Sequence, residues 1–231
     1  MTLKLFELVG ADAERPFSPF CWRIRMALAH KGLAAETIPW CFTEKDAIAP
    51  HQSEKVPVLL DGENAVADSW TIANYLEDRY PDRPSLFGGA GGRAMGRMIN
   101  WWGDITVVGG MFPLIVADIP PHLKPVDAAY FRKTREARFG KPLEEVAAGR
   151  DKAVDGFRRA LDPMRLTLKT QAYLGGDTPN YADYIVFGAF QWARVVSPFR
   201  LLAEEDPVYA WREKLLDAFD RMARQSPGYP V

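Results

Sequence analysis

The sequence predicts a protein of two domains, a small α/β domain followed by a domain built only from helices. Strand-like and helix-like segments alternate between residues 3 and 80, and a stretch rich in Pro and Gly follows them. Beyond that stretch, apolar residues recur at helical spacing without a convincing strand. The chain of 231 residues is long enough to form two small domains, each with its own core.

The first part has the predicted order β-α-β-β-β-α. Its elements are a strand at 3–8, a helix at 17–31, strands at 36–40, 56–60 and 65–67, and a helix at 69–80. Gly32 ends the first helix, and Asp61-Gly62 is typical of a hairpin turn between the last two strands. One turn of helix is expected in the loop before the third strand. We therefore predict a domain over residues 1–82.

The second part has helical patterns throughout. They cover residues 93–117, 127–138, 142–170, 180–196 and 207–223, and Pro163 is expected to bend or break the third of them. Residues 83–92 are predicted to be a linker, and residues 93–231 an all-helical domain.

Composition and charge narrow the class of partner. The 29 Lys and Arg residues nearly balance the 30 Asp and Glu residues, and there is no basic block that would attract nucleic acid or an anionic membrane. The uncharged apolar run between Asp104 and Asp118 is shorter than the roughly 20 residues of a membrane-spanning helix. A small molecule or another protein is the expected partner.

The cysteines and histidines predict neither a disulfide framework nor a metal site. Cys21 and Cys41 are too few for disulfide scaffolding, and with the three scattered histidines they match no zinc-binding spacing. No export signal is visible, so we expect a cytoplasmic protein.

Ser18 begins the first helix, directly followed by Pro19. Both residue types are common at this position for structural reasons alone. However, a hydroxyl beside the unpaired N–H groups of a helix N-terminus also suits a bound thiolate. A hydrogen bond of about 1.5–3 kcal/mol and a helix-end contribution of roughly 0.3–1 kcal/mol could together lower a thiol pKa by about 1.5–3 units. Cys21 lies at the inner position of this motif and Ser18 at the outer one, so two-thiol exchange is not expected and a ligand must supply the thiol.

Two further motifs could bind a peptide-like ligand. A cis bond between Val56 and Pro57 would turn the backbone groups of Val56 outward, where they could pair as a strand does, although Pro is also tolerated at a strand start. Asp68-Ser69 precedes the second helix and could simply cap it. The same pair could bind the ammonium and carboxylate of an amino-acid group.

Other motifs are structural or less specific. Asn180 and Asp183 form a capping-box variant that should start a buried helix. The long helix after the linker carries Trp101, Trp102, Met111 and Phe112, a stripe that is most often core. Part of it, including Met111 and Phe112, is expected to line an apolar pocket that faces the first domain.

Taken in order, these motifs resemble the cytosolic glutathione transferases over essentially the whole chain. The helix start at residues 18–23 is similar to that of the serine-type classes, notably zeta, and to the omega type with Ser18 in place of its cysteine. The stretches 53–57, 68–70 and 80–84 look closest to the bacterial β-etherase-like branch, in which the glutathione thiolate attacks a carbon bearing an aryl ether.

The resemblance implies a thioredoxin-like N-terminal domain that binds glutathione as co-substrate. Ser18 would be the catalytic residue and would hydrogen-bond the glutathione sulfur. The backbone of Val56, before a cis Pro57, would hold the cysteinyl unit, and Asp68 and Ser69 would bind the γ-glutamyl end.

Phe20 and Lys55 complete the glutathione-binding set, with His51 and Gln52 as alternatives to Lys55 at the glycyl carboxylate. The resemblance further implies a homodimeric detoxification-type transferase that adds glutathione to an apolar electrophile bound between the domains. Two alternatives stay open: a non-catalytic carrier of the same fold, and a thiol oxidoreductase that uses Cys21.

Overall fold

The computed structural model describes residues 2–231, so Met1, the first residue of the predicted N-terminal domain, lies outside the described residues. Within that range the N-terminal part contains one mixed sheet in the order β2-β1-β3-β4. The strands are β1 (Leu3–Leu8), β2 (Ala35–Trp40), β3 (Val58–Asp61) and β4 (Asn64–Ala67). β1 runs parallel to β2 and antiparallel to β3, and β3 and β4 form a hairpin.

Two helices belong to the sheet domain, and the rest build the helical domain. The first two are α1 (Pro19–His30) and α2 (Ser69–Arg79). The others are α3 (Ala90–Trp102), α4 (Gly109–Ile115), α5 (Pro125–Phe139), α6 (Leu143–Ala147), α7 (Arg150–Ala160), α8 (Asp162–Leu168), α9 (Tyr181–Val196) and α10 (Pro207–Gln225). The predicted fold class, a thioredoxin-like α/β domain followed by a helical domain, is confirmed.

The differences from the sequence prediction are local. Two short 3₁₀ turns, Lys45–Ala47 and Ala49–His51, occupy the loop before β3, where one helical turn was expected. The predicted helix 142–170 is divided into α6, α7 and α8. The last break comes at Leu161, so that Pro163 lies in the first turn of α8, where its missing N–H is tolerated. α3 begins at Ala90, inside the predicted linker 83–92.

Two helical predictions need correction. A π-helical segment, Gly103–Val108, joins α3 to α4, where an uninterrupted α-helix was predicted. The predicted helix 207–223 is interrupted at residues 218–221, because Phe219, Asp220 and Arg221 adopt positive φ angles. Left-handed backbone does not continue an α-helix.

α1 and α9 pack closely and join the two domains. Gly188 of α9 lies against the carbonyl of Pro19, where a Cβ atom would overlap the oxygen. The buried Arg23 of α1 donates to the carbonyl of Ile185 at 3.2 Å and forms an ion pair with Asp104 at 2.7 Å. The start of the first domain's helix is therefore fixed by the second domain.

The helical rod from Ala90 to Asp118 is long and apolar enough to span a membrane by length and composition alone. The sequence analysis obtained a shorter run because Asp104 interrupts the apolar residues. Core helices of soluble proteins pass the same test, and this rod packs against α9 and α7. However, only 39% of the most apolar 18-residue stretch of the rod is buried. An exposed stripe of large side chains runs along α3.

Candidate functional site

Three chain segments meet at one end of the sheet. Phe6 pairs with Val58, so the end of β1, which leads into α1, lies beside the residues that precede β3. Val58 also pairs with Ala67, which places Pro57 beside Asp68 at the start of α2. The topology therefore brings together the three motifs that the sequence analysis singled out: the starts of α1, β3 and α2.

Ser18 is the N-cap of α1 and is buried at the wall of a cavity. Its Oγ accepts a hydrogen bond from the backbone N–H of Cys21 at 3.2 Å. This leaves the hydroxyl hydrogen to be donated, either toward the Cys21 sulfur or into the cavity. A thiolate in the cavity would be the stronger acceptor, because a neutral thiol accepts only weakly.

Cys21 lies behind Ser18 and is fully buried. Burial raises the pKa of its thiol to about 12, and the hydrogen bond from Ser18 only partly opposes this rise. The thiol is therefore protonated at neutral pH, and a protonated thiol is a poor nucleophile.

The segment before β3 also borders the cavity. The bond between Val56 and Pro57 is cis, in agreement with the sequence prediction. Lys55 and Val56 line the cavity with Phe20, whose ring packs under the Arg23 guanidinium, 4.8 Å from its centroid. Val56 precedes the first paired residue of β3, so its backbone groups stand outside the strand ladder.

Asp68 and Ser69 lie at the start of α2, outside the cavity lining. The Asp68 carboxylate caps the helix by accepting from the Thr71 N–H at 3.0 Å, and Asp68 itself has a φ of 74°. Such a conformation is uncommon for a non-glycine residue and is found preferentially at functional sites. The carbonyl of the buried Ser69 accepts from the Tyr181 hydroxyl at 2.8 Å, which ties this corner to α9.

The cavity that Ser18 borders has a volume of about 530 Å³ and lies between the two domains. Opposite Ser18, the helical domain supplies a second wall. Its side chains are mostly aromatic or cationic: Val108, Phe112, Tyr130, Phe131, Arg135, Arg138 and Trp192. The site thus has a polar wall at the helix start and an aromatic wall facing it.

The structure separates the two residues predicted for the apolar pocket. Phe112 lies on the cavity wall, 5.5 Å from the Trp192 ring. Met111 does not line the cavity, because its side chain is fully buried in the core. Consecutive residues of a helix point about 100° apart, so neighbours in sequence rarely share a wall.

The sequence analysis missed α5 as part of the site. Tyr130, Phe131, Thr134, Arg135 and Arg138 all line the cavity, and their spacing of three and four residues places them on one helix face. That spacing was visible in the sequence. What could not be read was where the helix packs, because its contacts are made to a loop far away in sequence.

That loop is the segment after β2. Asp127, buried at the start of α5, accepts from both the N–H and the hydroxyl of Thr43, at 2.8 and 3.0 Å. Beside it, the Phe42 ring packs against Tyr130 and Phe131, with centroid separations of 6.1 and 5.7 Å. We call this contact the α5 clamp: Thr43 with Asp127, and Phe42 with Tyr130 and Phe131. It holds the aromatic wall against the first domain.

No metal centre is indicated. Among residues 2–231, no group of three His, Cys, Asp or Glu side chains is placed to hold a metal ion.

Comparisons with known proteins match both domains. A family model described as "Glutathione S-transferase, N-terminal domain" matches residues 13–84, and one described as "Glutathione S-transferase, C-terminal domain" matches residues 94–213. Together these matches include the starts of α1, β3 and α2 and the whole of α5.

Similar curated proteins share shorter segments. A glutathione S-transferase-like protein, ustS, of Aspergillus flavus is 29% identical over 145 residues, which cover 56% of this chain and 50% of that protein. A zeta-class glutathione S-transferase of Euphorbia esula is 37% identical over 70 residues, covering 28% of this chain and 31% of that one. The matches thus span half or less of these relatives' lengths.

Solved structures match over nearly the full chain. A glutathione S-transferase of Ceriporiopsis subvermispora, in complex with glutathione, superposes with a TM-score of 0.84 at 23% identity over 96% of this chain and 97% of that one. Glutathione transferase GSTFuA3 of Phanerochaete chrysosporium gives a TM-score of 0.77 at 25% identity over 97% and 93%.

Proposed function

This chain belongs to the glutathione S-transferase family, and from that premise we propose that it transfers glutathione to an aromatic electrophile with Ser18 as the catalytic residue. The observation that carries the proposal is the position of Ser18. Its buried hydroxyl stands at the start of α1 and on the wall of a cavity whose opposite wall is aromatic.

The starts of α1, β3 and α2 together offer a binding site for each of the three residues of glutathione. The backbone of Val56 pairs with the cysteinyl unit, and the first turn of α2 with Asp68 and Ser69 binds the charged γ-glutamyl end. Lys55, exposed at the cavity edge, is placed to meet the glycyl carboxylate, and Phe20 borders the sulfur position.

The chemistry follows from anion stabilisation and positioning. The Ser18 hydroxyl and the N-terminus of α1 lower the pKa of the bound thiol, whose proton leaves to solvent. The thiolate then attacks the electrophilic carbon, a C–S bond forms, and the leaving group departs with its electron pair. Aryl ethers are one such substrate: the aryloxide is then the leaving group.

We further propose that the protein is a cytoplasmic homodimer that does not enter a membrane. The exposed stripe on the helical rod carries Met95, Met98, Trp101 and Ile105, each more than half exposed and spaced by three or four residues. Burial of this stripe against a second copy would cover large apolar side chains that water otherwise surrounds. Sedimentation equilibrium of the wild type and of Met98→Glu tests this, with the dimer expected to dissociate in the variant.

The test of function is the ultraviolet difference spectrum of glutathione bound to Ser18 variants, recorded as a function of pH. Wild type should show a thiolate band well below the pKa of free glutathione. Ser18→Ala removes the donor and also the helix cap, whereas Ser18→Thr keeps both. Ser18→Asp keeps a capping oxygen but adds a negative charge beside the thiolate.

We expect wild type and Ser18→Thr to show the band at neutral pH, and Ser18→Ala and Ser18→Asp to lack it. Turnover of a chlorodinitrobenzene should fall about 10- to 100-fold in Ser18→Ala, since one hydrogen bond to a charged group contributes about 1.5–3 kcal/mol. An unchanged band in Ser18→Ala would remove Ser18 from the mechanism. Binding of apolar dyes with no glutathione-dependent turnover in wild type would favour a carrier.

A further inference from the structure

The aromatic wall carries two guanidinium groups that have no role in the proposed transfer reaction. Arg135 and Arg138 both line the cavity from α5. The Arg135 guanidinium lies over Phe131 and Phe42, 4.7 and 5.1 Å from the ring centroids, and Arg138 lies 5.7 Å from the centroid of Phe112. Both guanidinium groups therefore lie over rings that bound the cavity.

Neither arginine has an acidic partner. Within residues 2–231, no carboxylate lies within 4.0 Å of either guanidinium, and the side-chain hydrogen bond of Arg135 runs to the neighbouring Thr134 hydroxyl at 2.7 Å. Two other partly buried arginines of the helical domain are paired with carboxylates, Arg150 with Asp118 at 2.6 Å and Arg165 with Asp206 at 2.7 Å.

The electrostatic environment leaves Arg135 under-compensated. Burial lowers its pKa, Tyr130 opposes the change, and the charge of Arg138 lowers it further. The one carboxylate on the described cavity lining, that of Asp104, is paired with Arg23. Lys45 and Lys55 add positive charge at the opposite edge, so the lining as a whole is cationic. Arg135 is half-buried and Arg138 is exposed where they line the cavity. A partly desolvated cation such as Arg135 is costly when it lacks an anion, and a ligand could supply that anion.

We propose that the second substrate is an aromatic acid, an electrophilic ring bearing a carboxylate or sulfonate, and that Arg135 and Arg138 bind its anionic group. The guanidinium geometry suits a bidentate contact with such a group, while the surrounding rings stack on the substrate. The inference rests on the proposed function in one respect: it takes this cavity as the site of the electrophile.

The arrangement also explains why the anion would not interfere with the thiolate. Arg135 and Arg138 belong to the helical domain's wall, and Ser18 to the wall of the N-terminal domain. A substrate held by its acid group at α5 therefore presents its opposite side to the sulfur. The two arginines act as a positioning and selecting device for the substrate and take no part in bond making.

A matched pair of fluorescent ligands tests the proposal without glutathione. 5-Dimethylaminonaphthalene-1-sulfonate and its sulfonamide differ only in the charge of one substituent. Their Kd values are measured by fluorescence titration with wild type, Arg135→Gln, Arg138→Gln and Arg135→Lys. Lys133→Gln is the matched control, because Lys133 is an exposed cation on the same helix that lies outside the cavity lining.

We expect wild type to bind the sulfonate at least about tenfold more tightly than the sulfonamide, as one charge-assisted hydrogen bond would give. Each Arg→Gln variant should bring the ratio of the two Kd values toward one, and Arg135→Lys should restore part of it. Lys133→Gln should keep the wild-type ratio. Equal binding of the two ligands by wild type, or an unchanged ratio in both Arg→Gln variants, would overturn the proposal.

Because this titration needs no glutathione, its outcome is separable from the Ser18 test. A sulfonate preference that depends on the arginines, without a thiolate band, would reject the transfer reaction and retain the anion site. A thiolate band without a sulfonate preference would reject the anion site and retain the transfer reaction. With turnover established, a chloronitrobenzoate should show an increased KM in Arg138→Gln, while its carboxamide should not.

Discussion

The two walls of the cavity are built in different ways. The N-terminal wall contains two segment starts, at Ser18 and Val56, whose polar groups are fixed by a helix cap and by a cis peptide. Asp68, at the start of α2, lies beside this wall through the sheet register but outside the cavity lining. The helical wall consists of side chains on α5 and neighbouring helices, held in place by the α5 clamp. The first wall presents backbone groups, which persist when side chains are substituted, together with the single hydroxyl of Ser18. The second presents rings and cations, whose chemistry depends on each residue.

This contrast predicts that perturbations of the first wall abolish sulfur chemistry, whereas perturbations of the second change the choice of electrophile. Four measurements would break or sharpen the comparison.

The largest effect is expected in thiol labelling, which tests whether the first wall holds any reactive sulfur of its own. With its pKa raised to about 12, the Cys21 thiol should react with a disulfide reagent about a thousandfold more slowly than a free thiol at neutral pH. Burial also raises the pKa of Cys41. Native protein should therefore label negligibly and urea-unfolded protein at two thiols; rapid labelling of native Cys21 would revive the oxidoreductase alternative.

Gly188→Ala should disturb the first wall from the second domain. The added Cβ would overlap the carbonyl oxygen of Pro19 beside Ser18, so α1 and α9 must separate. We expect a loss of about 2–4 kcal/mol in the free energy of unfolding, measured with urea, together with loss of the thiolate band.

The matched control is Gly156→Ala in α7, where the nearest neighbour of the new Cβ outside the helix backbone would be the Arg159 guanidinium at 3.9 Å. Here the helix has room, and alanine should stabilise it by up to about 1 kcal/mol. If the two alanine variants had equal stability, the tight junction at Gly188 would not be what fixes the first wall.

Asp127→Ala should release the second wall and leave the first in place. The variant leaves the Thr43 N–H without its acceptor and frees α5 from the loop after β2. We expect the KM for the electrophile to rise about tenfold, at a cost of about 1–3 kcal/mol in stability. The thiolate band should persist. Asp127→Asn keeps one acceptor oxygen and should recover most of the wild-type KM; loss of the band in Asp127→Ala would show that the walls are coupled.

The smallest expected effect concerns the acid stability of the junction between the domains. The Nε2–H of the neutral His30 ring donates to the Ser85 carbonyl at 3.1 Å, so its Nδ1 accepts from the Tyr184 hydroxyl at 2.7 Å. Burial lowers the pKa of the imidazole. The unfolded chain therefore binds the proton more readily, so stability falls as the pH drops below about 6.5 toward the lower pKa of the folded state. His30→Gln should reduce the difference in unfolding free energy between pH 7.5 and pH 5.5, measured by urea unfolding at the two pH values. An identical pH dependence in both proteins would exclude this contribution.

The sequence predicts more of the first wall than of the second, because the first wall is built from local motifs and the second from contacts between distant segments. The helix caps at Ser18 and Asp68 and the cis bond before Pro57 could be predicted, because caps and X-Pro bonds are local signals, readable within a few residues. Likewise, Asn180 and Asp183 form the predicted capping box, in which the Asn180 N–H donates to Asp183 at 3.1 Å.

The second wall depends on contacts that no local pattern contains. Arg135 lines the cavity because α5 is held by contacts with Thr43 and Phe42, which are distant from it in sequence. Met111 and Phe112 were both expected to line the pocket, but adjacent residues of one helix point about 100° apart, and only Phe112 faces the cavity. Which of the two faces it depends on how α4 packs, and no local pattern contains that contact.

The α5 clamp has a consequence for how such a protein diversifies. Because the clamp is made by Asp127 and by rings at the start of α5, the later position Arg138, which lies over Phe112 and not over a clamp ring, can be substituted without disturbing the attachment. Thiol activation and electrophile choice are then separately heritable traits. A lineage descending from this chain could exchange one substrate for another through a few codons of one helix while inheriting its sulfur chemistry intact.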